Sequence, residues 1–556
     1  FIFFLMMCGD DFFERWEKFQ PPISFVYHGV DSEDLLPLWN KKLRSNECNG
    51  YTLHVLEYLD PKTGLSVTIE IKKFQNFAAF DWVVYFENKG TAMTPILKEI
   101  NAISYIWEPA HVAFVDVQYA KGSQCAIDDF VPQNKRLENL IPFEMNAQGG
   151  RPSTLSLPFA RIECGAKRLI ISLGWTGQWF MRFVNCHMLK EQCPQIIVEA
   201  GMEKCNLRLE PNEKIRTPRV LLFFGEGDTF TFQNAYRSLL FAHYSPKIAG
   251  IRAQAPLCYP TWGGNSIEEH LDRLRLIQTF QLPYEYYWID AGWFVDEKET
   301  KLEESAGAWA KWVGRWRPNK NILPNGLKPL GKAIHKAGLK FLLWFEPERA
   351  RSGPDLPEAY PNWFLEKSKQ NQDLLLNLGM KEARDWLIEF LGKMIRDAGI
   401  VCYRQDFNFE PLEYWRMADS PERQGITEIR HVMGLYEVWD ALLAQFPHLL
   451  IDNCASGGRR IDLETMSRSI PLWRSDFQCF LDSDPIGSQI HTYGIMSWVP
   501  LSTTGTQIHP EDDFAIRSAY SPGLVFHHFL EWDKFDELKY NWDWHHKMLR
   551  EFLEAR

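Results

Sequence analysis

The segment GIVCYRQDFNFEP (399–411) places three polar side chains directly after an apolar run. The run at 399–403 is typical of a buried strand, and Arg404, Gln405 and Asp406 follow it without a break. Arg404 and Asp406 stand two residues apart, so they share one face of an extended strand. A guanidinium beside a carboxylate keeps that carboxylate ionised, as a nucleophile requires. The segment therefore predicts a chemically active carboxylate at Asp406.

Carboxylates also close other apolar runs in the second half of the chain. They are Asp290, Glu346, Glu348, Asp452 and Asp476, and they alternate with Trp288, Trp344 and Trp473. One carboxylate at a strand end is as often the N-cap of the next helix as a reactive group. Several together with tryptophans favour a sugar pocket, because an indole ring packs well against the apolar C–H face of a pyranose. Paired carboxylates in such a pocket are the machinery of glycoside hydrolysis.

Two of these carboxylates receive predicted roles. In glycoside hydrolysis one carboxylate attacks the anomeric carbon and the other protonates the leaving oxygen. We predict that Asp406 is the nucleophile and that Asp476 is the acid, kept protonated by burial or by repulsion from the first carboxylate. Arg474 would lower the pKa of Asp476 unless its guanidinium is engaged elsewhere.

Neighbouring polar residues have simpler predicted roles. At least one of Glu346 and Glu348 is expected to orient a loop or to bind Arg349. Asp462 and Glu464 are expected to cap and solvate the start of a helix. The histidines His335 and His491 are expected to be structural.

The strand ends belong to a repeating pattern that begins near residue 256. Short apolar runs alternate there with helix-length amphipathic segments, which is typical of βα units around a parallel sheet. The runs are 257–259, 284–290, 339–348, 399–406, 448–454, 471–476, 494–500 and 523–529. Eight units predict a (β/α)8 TIM barrel, whose active site is built at the carboxyl ends of its strands.

The first half of the chain shows a different pattern. Alternating apolar and polar residues separated by turn signals, as around Asp60 to Gly64, predict a β-sandwich. We predict a sandwich domain with a linker helix (1–245), a catalytic barrel (246–535) and a helical carboxy-terminal segment (536–556). The apolar start FIFFLMMCGDD is compatible with the remnant of an export signal or with an arbitrary boundary, so the compartment, cytoplasmic or exported, stays open.

Composition narrows the choice of partner. The net charge is −11 and no basic run occurs, which argues against nucleic acid. The 11 cysteines are scattered without a CxxC pair or zinc-ligand spacing, and no phosphate-binding glycine motif is present, so neither a metal nor an organic cofactor is expected. No membrane-spanning segment is predicted. A small molecule or an oligosaccharide is the expected partner, and a homo-oligomer is left open.

Several motifs carry a resemblance to a known family. They are WFEPERA (344–350), YRQDFN (403–408), DNCASGGRRIDLETMSRSIPLWRSD (452–476) and GRWRPNKNILPNGLKPL (314–330). These motifs resemble glycoside hydrolase family 36, the melibiase-type α-galactosidases. The segment YFENKGTAMTPILKEI (85–100) is similar to the amino-terminal supersandwich of that family. The resemblance therefore covers nearly the whole chain.

The resemblance implies a retaining α-glycosidase, here an α-galactosidase, that works through a covalent intermediate without a cofactor. It implies Asp406 as the nucleophile and Asp476 as the acid/base. The substrate-binding residues expected beside them are Asp290, Trp344, Arg404, Asn408, Cys454, Ser456, Gly457 and Arg474.

Three departures from the family pattern leave alternatives open. Asp290-Ala291 stands where the family usually has two aspartates, and Arg404-Gln405 replaces Lys-Trp. Both changes are expected in the −1 subsite, where hydroxyl contacts discriminate strongly between sugars, so an α-N-acetylgalactosaminidase or galactosaminidase is an alternative. The usual carboxy-terminal β-domain is expected to be short or absent. An α-galactosyl transglycosylase and a non-catalytic sugar-binding protein also remain as alternatives.

Overall fold

The structure is a computed structural model of the 556-residue chain. It describes residues 21–109, 114–186, 195–298, 308–351, 355–368, 370–479, 483–506, 511–526 and 539–556. The apolar start of the chain lies outside the described residues, and so do the last residues of the predicted eighth run, 527–529.

The first half forms two large antiparallel sheets, in agreement with the predicted sandwich. One sheet contains Ser24–Tyr27, Val30–Asp31, Leu97–Trp107, Phe143–Asn146, Trp179–Cys186, Gln195–Met202 and Asn206–Leu207, and Arg423–Gln424 from the second half of the chain pairs with the last of these strands. The other contains Asn40–Cys48, Tyr51–Leu59, Leu65–Phe74, Ala79–Asn88, Asp116–Lys121, Pro132–Arg136, Ser156–Cys164, Lys167–Gly174, Lys214–Arg216 and Arg219–Glu226. Apolar residues of both sheets share one core because alternate side chains of each strand point to the same face.

The predicted turn between Leu59 and Leu65 is a hairpin. The carboxylate of Asp60 accepts hydrogen bonds from the backbone N–H groups of Lys62 and Thr63 at 3.0 and 3.2 Å. Gly64 has a φ of 79°, which glycine adopts without steric strain. Local turn chemistry therefore sets the register of this pair of strands.

The second half contains a parallel sheet of seven strands, every neighbouring pair of which is parallel. In spatial order they are Leu450–Asn453, Cys402–Gln405, Lys340–Phe345, Tyr286–Ile289, Leu257–Thr261, Gly523–Val525 and Thr503–Gly505. The segment 470–471 bonds both edge strands: Ile470 N–H donates to Ile451 O, and Thr503 N–H donates to Pro471 O, both at 3.0 Å. The sheet thereby closes on itself through this segment.

Two predicted strands differ from the structure. The run 471–476 is not a regular strand, because Pro471 has no N–H to donate to a ladder. The run 494–500 was predicted wrongly: it continues from a helix, Pro485–Ile495, and the strand follows later at Thr503–Gly505. Ile495, Trp498 and Val499 pack against the sandwich. Periodicity alone cannot separate such a short buried helical end from a strand.

Most helices lie in the half of the chain that contains the parallel sheet, whereas Ser32–Leu35, Leu36–Leu38 and Thr229–His243 belong to the sandwich half. The α-helices are Ser32–Leu35, Thr229–His243, Ile267–Thr279, Leu327–Lys336, Leu356–Ala359, Lys381–Ala398, Leu412–Ala418, Ile426–Gln445, Leu463–Arg468, Pro485–Ile495, Asp513–Ser518 and Trp542–Ala555. The 3-10 helices are Leu36–Leu38, Ala308–Trp312, Pro361–Trp363 and Asp476–Cys479. Smaller strands are Lys247–Ile248 with Ile251–Arg252, and Arg349–Arg351, Asp373–Leu376 and Phe364–Glu366. None of the helices in the described ranges has the combined length and apolar character that crossing a membrane requires.

The sandwich and the parallel-sheet half share a buried ionic contact. Glu464 was expected to be solvated at a helix start, but only 2% of its side chain is exposed. It accepts hydrogen bonds from Arg216 and Arg219 of the sandwich at 2.6 and 2.9 Å and from Arg468 at 2.6 Å. Asp462 does cap that helix, as predicted, through the N–H groups of residues 464 and 465.

Replacing Glu464 with alanine is expected to lower the free energy of unfolding by about 3–5 kcal/mol, because it leaves the buried Arg216 guanidinium without its counter-ion. The measurement is urea unfolding followed by tryptophan fluorescence. Glu422→Ala removes an exposed partner of Arg208 and is the matched control, with an expected change below about 1 kcal/mol. Equal effects of the two substitutions would contradict the proposed importance of this contact.

Candidate active site

The predicted carboxylates meet at the carboxyl ends of the parallel strands. Asp290 follows Tyr286–Ile289, Asp406 follows Cys402–Gln405, and Asp452 lies within Leu450–Asn453. Because neighbouring parallel strands end at the same edge of the sheet, these residues are brought together although they are far apart in sequence.

Asp406 is held by four hydrogen-bond donors. The Trp344 indole N–H and the Asn408 amide donate to Oδ2 at 3.1 and 2.9 Å, and the backbone N–H groups of Phe407 and Ser456 donate to Oδ1 at 2.8 and 3.1 Å. Burial alone would raise the pKa of Asp406, but the Arg404 charge and the hydrogen bonds from Asn408, Ser456 and Phe407 outweigh burial and lower the pKa below its usual value. Asp406 is therefore an ionised carboxylate with fixed geometry.

Arg404 links the carboxylates on the inner face of the sheet. Its Nη1 donates to Asp452, its Nε lies 3.4 Å from Asp290 Oδ2, and its guanidinium lies 4.2 Å from the Trp288 ring centroid. The Trp288 indole N–H also donates to Asp290 Oδ2 at 2.8 Å. One cation is thus shared by three carboxylates, including the nearby Asp406.

Gln405 was expected in the −1 subsite, and the structure corrects this. Its side chain is buried on the opposite face of the strand from Arg404, where it donates to Glu348 at 2.6 Å and accepts from Tyr403 and Trp439 at 2.8 and 2.6 Å. Successive side chains of a strand point to opposite faces, so Gln405 faces the helices when Arg404 faces the pocket.

Asp476 reaches the site through a close approach of two loops. The backbone of Gly457 pairs with Ser475, and a Cβ at Gly457 would lie only 2.8 Å from Ser475 Cα and 2.9 Å from Asp476 N. Gly457 also has a φ of 81°, so glycine is needed there for two reasons. Burial, followed by the negative charge of Asp406, raises the pKa of Asp476 to about 7.

Arg474 does not oppose this shift, because its guanidinium is engaged elsewhere. It is fully buried and donates to Ser488 O and Thr492 Oγ1 at 2.8 and 2.6 Å, in the helix Pro485–Ile495. The structure therefore directs Nη2 of Arg474 into that helix rather than toward Asp476, and its Nε and Nη1 have no hydrogen-bond partner among the described residues.

The loop 454–458 supplies further predicted residues. Ser456 Oγ donates to Asn408 Oδ1 at 2.8 Å, and the Gly457 N–H donates to the sulfur of Cys454 at 3.3 Å. Ser456 has a φ of 53°, which aims its backbone N–H at Asp406. Cys454 is buried, and burial raises the pKa of its thiol.

Two buried glutamates, Glu346 and Glu348, bind residues of the loops around Asp406. Glu346 accepts from the Asn408 backbone N–H and from Arg349, both at 2.6 Å, so the predicted contact between a glutamate and Arg349 is confirmed. Glu348 accepts from Arg460 and pairs with His431 at 3.0 Å. Both side chains are buried and hold the loops that present Asp406.

The sandwich contributes residues that the sequence did not reveal. Asp129 accepts from Ser475 Oγ at 2.6 Å, and Cys125 Sγ lies 3.8 Å from Ser456 O and 2.8 Å from Arg459 Nη2. No local pattern marks Cys125 or Asp129, since they lie in a connecting segment of another domain. Arg459 belongs to the motif already singled out at 452–476 and could have been noticed there.

The arrangement can place a nucleophilic carboxylate beside a protonated one, with a cation and hydroxyl-binding groups around them. Within the described ranges, no group of three or more His, Cys, Asp or Glu side chains is arranged to hold a metal ion.

Comparison with known proteins gives three findings. A family model described as Melibiase matches residues 215–520. α-Galactosidase AgaA of Geobacillus stearothermophilus is 27% identical over 311 residues, which are 54% of this chain and 40% of that protein. α-Galactosidase Mel36A of Lactobacillus acidophilus is 27% identical over 297 residues, 52% of this chain and 39% of that protein. The matched part thus spans less than half of each relative.

Solved structures resemble the fold over nearly the whole described architecture. The crystal structure of AgaA from Geobacillus stearothermophilus in complex with stachyose has a TM-score of 0.75 at 20% identity, covering 96% of this chain and 76% of that one. The galactosidase domain of α-galactosidase-sucrose kinase, AgaSK, has a TM-score of 0.76 at 16% identity, covering 96% and 74%.

Proposed function

This chain belongs to the Melibiase family, and on that premise we propose that it is a retaining α-glycosidase that removes terminal α-linked galactosyl residues. The α-galactosidases that it matches support the choice of sugar. The proposed catalytic unit is a (β/α)8-type barrel with its site at the carboxyl ends of the strands.

The observation that carries the proposal is the opposite environment of two neighbouring carboxyl groups. Burial favours the protonated form of both. Arg404 and the hydrogen bonds from Asn408, Ser456 and Phe407 nevertheless lower the pKa of Asp406, whereas the charge of Asp406 adds to burial and raises the pKa of Asp476 to about 7. Carboxyl groups whose environments separate their pKa values in this way fit the two roles of glycoside hydrolysis.

The proposed reaction has two displacements. Asp406 attacks the anomeric carbon while Asp476 donates its proton to the leaving oxygen, which gives a β-linked glycosyl-enzyme. Asp476 then removes a proton from water, which attacks the anomeric carbon and releases Asp406. Arg404 and Asp290, on the same face as Asp406, are proposed to bind sugar hydroxyls, together with Ser456 and Asn408.

A second specificity is favoured by one observation. Ala291 is 1% exposed and its N–H donates to Asp290 Oδ1 at 2.8 Å, so a methyl group occupies the position where the family pattern has a second carboxylate. Without this carboxylate, one hydrogen-bond partner for a sugar hydroxyl is missing, which would weaken the preference for galactose. A 2-amino or 2-acetamido sugar is then the alternative substrate.

The test compares 4-nitrophenyl α-galactoside, α-N-acetylgalactosaminide, α-galactosaminide and α-glucoside at equal enzyme concentration. We expect the α-galactoside to have the highest kcat/KM. Turnover of only an amino or acetamido sugar would replace the proposed specificity, and no turnover of any of the four would contradict glycosidase activity. Product analysis with added acceptor sugars separates hydrolysis from transglycosylation.

A further inference from the structure

Arg459 is a cation at the site without a carboxylate partner. Its Nε donates to Ser123 O at 3.0 Å and its Nη2 lies 2.8 Å from the sulfur of Cys125. Both contacts are to uncharged groups, and no carboxylate of the described residues lies within 4.0 Å of this guanidinium. Arg459 is partly exposed.

This cation stands next to the proposed acid/base. The Cys125 sulfur that Arg459 contacts also lies against the backbone of Asp476. Burial sets the raised pKa of Asp476, and the positive charges of Arg404 and then Arg459 lower it. A cation beside Asp476 favours loss of the proton that the proposed acid must keep. We therefore expect it to serve binding rather than proton transfer.

A second guanidinium concentrates the positive charge. Arg151 is 4% exposed, and burial followed by repulsion from Arg459 lowers its pKa to about 10. Its Nη2 lies 3.4 Å from Glu410 Oε1, and its Nε has no hydrogen-bond partner among the described residues. The carboxylates of Glu410 and Asp406 act on Arg151 in the opposite direction to Arg459.

We propose that Arg459, with Arg151 beside it, binds a carboxylate on the leaving-group part of the substrate, so that the preferred leaving group is an acidic sugar. The proposal rests on the proposed glycosidase function. Because Asp476 protonates the leaving oxygen, groups packed beside Asp476 on the loop side face the leaving group. A guanidinium matches a carboxylate through two parallel N–H donors. The bound carboxylate would also offset the effect of Arg459 on Asp476.

The test uses two aryl α-galactosides, with 4-carboxyphenyl and 4-carbamoylphenyl leaving groups of nearly equal shape. The ratio of their kcat/KM values is compared between variants. We expect Arg459→Gln to lower the carboxylate-to-amide ratio about tenfold and Arg459→Lys to retain part of it. Arg416→Gln removes a comparable, half-exposed arginine that pairs with Glu203 and should leave the ratio unchanged.

The pH dependence separates binding from a structural role. With the neutral carbamoylphenyl substrate, Arg459→Gln should move the alkaline limb of kcat/KM to higher pH, since a positive charge beside Asp476 is removed. With the carboxyphenyl substrate, the alkaline limb of the wild-type kcat, which reports the enzyme–substrate complex, should lie at higher pH than with the neutral substrate. The charge of Arg459 acts on Asp476 with any substrate, so only a residue that binds the carboxylate makes the alkaline limb of kcat depend on the charge of the leaving group.

The affinity of the Asp406→Asn variant for each glycoside is measured by calorimetry. This measurement distinguishes failure of the inference about Arg459 from failure of the proposed function. If the wild-type enzyme turns over no glycoside, the proposed function fails, and the charge preference is still read from binding. Equal affinity for both glycosides, or a ratio unchanged by Arg459→Gln, would overturn the inference.

Discussion

Asp406→Ala is expected to lower kcat/KM by at least about 10⁴-fold on every glycoside, activated or not. The carboxylate forms the bond to the anomeric carbon, so no leaving group can compensate for its loss. Asp397→Ala, which removes an exposed helix carboxylate paired with Lys393, is the matched control and should retain full activity. Circular dichroism verifies that both variants fold. A loss of less than tenfold in Asp406→Ala would exclude Asp406 as the nucleophile.

The product formed with azide identifies the role of Asp406 by stereochemistry. In Asp406→Ala the small anion can enter the space of the missing carboxylate and attack from that side, opposite the leaving group. An α-glycoside with a good leaving group should then give a β-glycosyl azide. The anomer is read by NMR of the product, and an α-azide from this variant would contradict the assignment.

Asp476→Ala is expected to separate substrates by their leaving groups. Unactivated disaccharides should lose about 10²–10⁴ in kcat/KM, because their leaving oxygen needs a proton. 4-Nitrophenyl glycosides should lose much less in kcat/KM, since a nitrophenolate leaves without protonation. Here azide should attack the β-linked intermediate from the leaving-group side and give an α-glycosyl azide. Equal losses on both substrate types would rule out Asp476 as the acid.

The pH profile follows from the two carboxyl groups. Activity requires Asp476 protonated and Asp406 ionised, so the wild-type kcat/KM should fall as pH rises above about 7, where Asp476 loses its proton. The acid limb should lie below the usual range of an aspartate, because the pKa of Asp406 is lowered. In Asp476→Ala the alkaline limb on 4-nitrophenyl substrates should disappear.

Part of the sandwich and of the parallel sheet could be predicted, because local sequence patterns determine where many of their strands and turns lie. Alternation with turn chemistry produced the hairpin around Asp60 to Gly64, and short apolar runs located six of the seven observed parallel strands. The run 494–500 was misassigned because a short buried helical end has no distinct period. The outward position of Gln405 follows from strand alternation once Arg404 and Asp406 are placed inward.

The sequence by itself determined which carboxylates stand at strand ends, and thus the candidates Asp290, Asp406 and Asp452, since an apolar run and its polar terminus are adjacent in the chain. Only the tertiary structure decided their protonation, because pKa values depend on burial and on charges supplied by distant segments. Ser475, next to Asp476, is bonded to Asp129, which lies 346 residues away in the sandwich. No local pattern encodes such a contact, and it is packing between the two halves of the chain that brings Cys125 and Arg151 to the site.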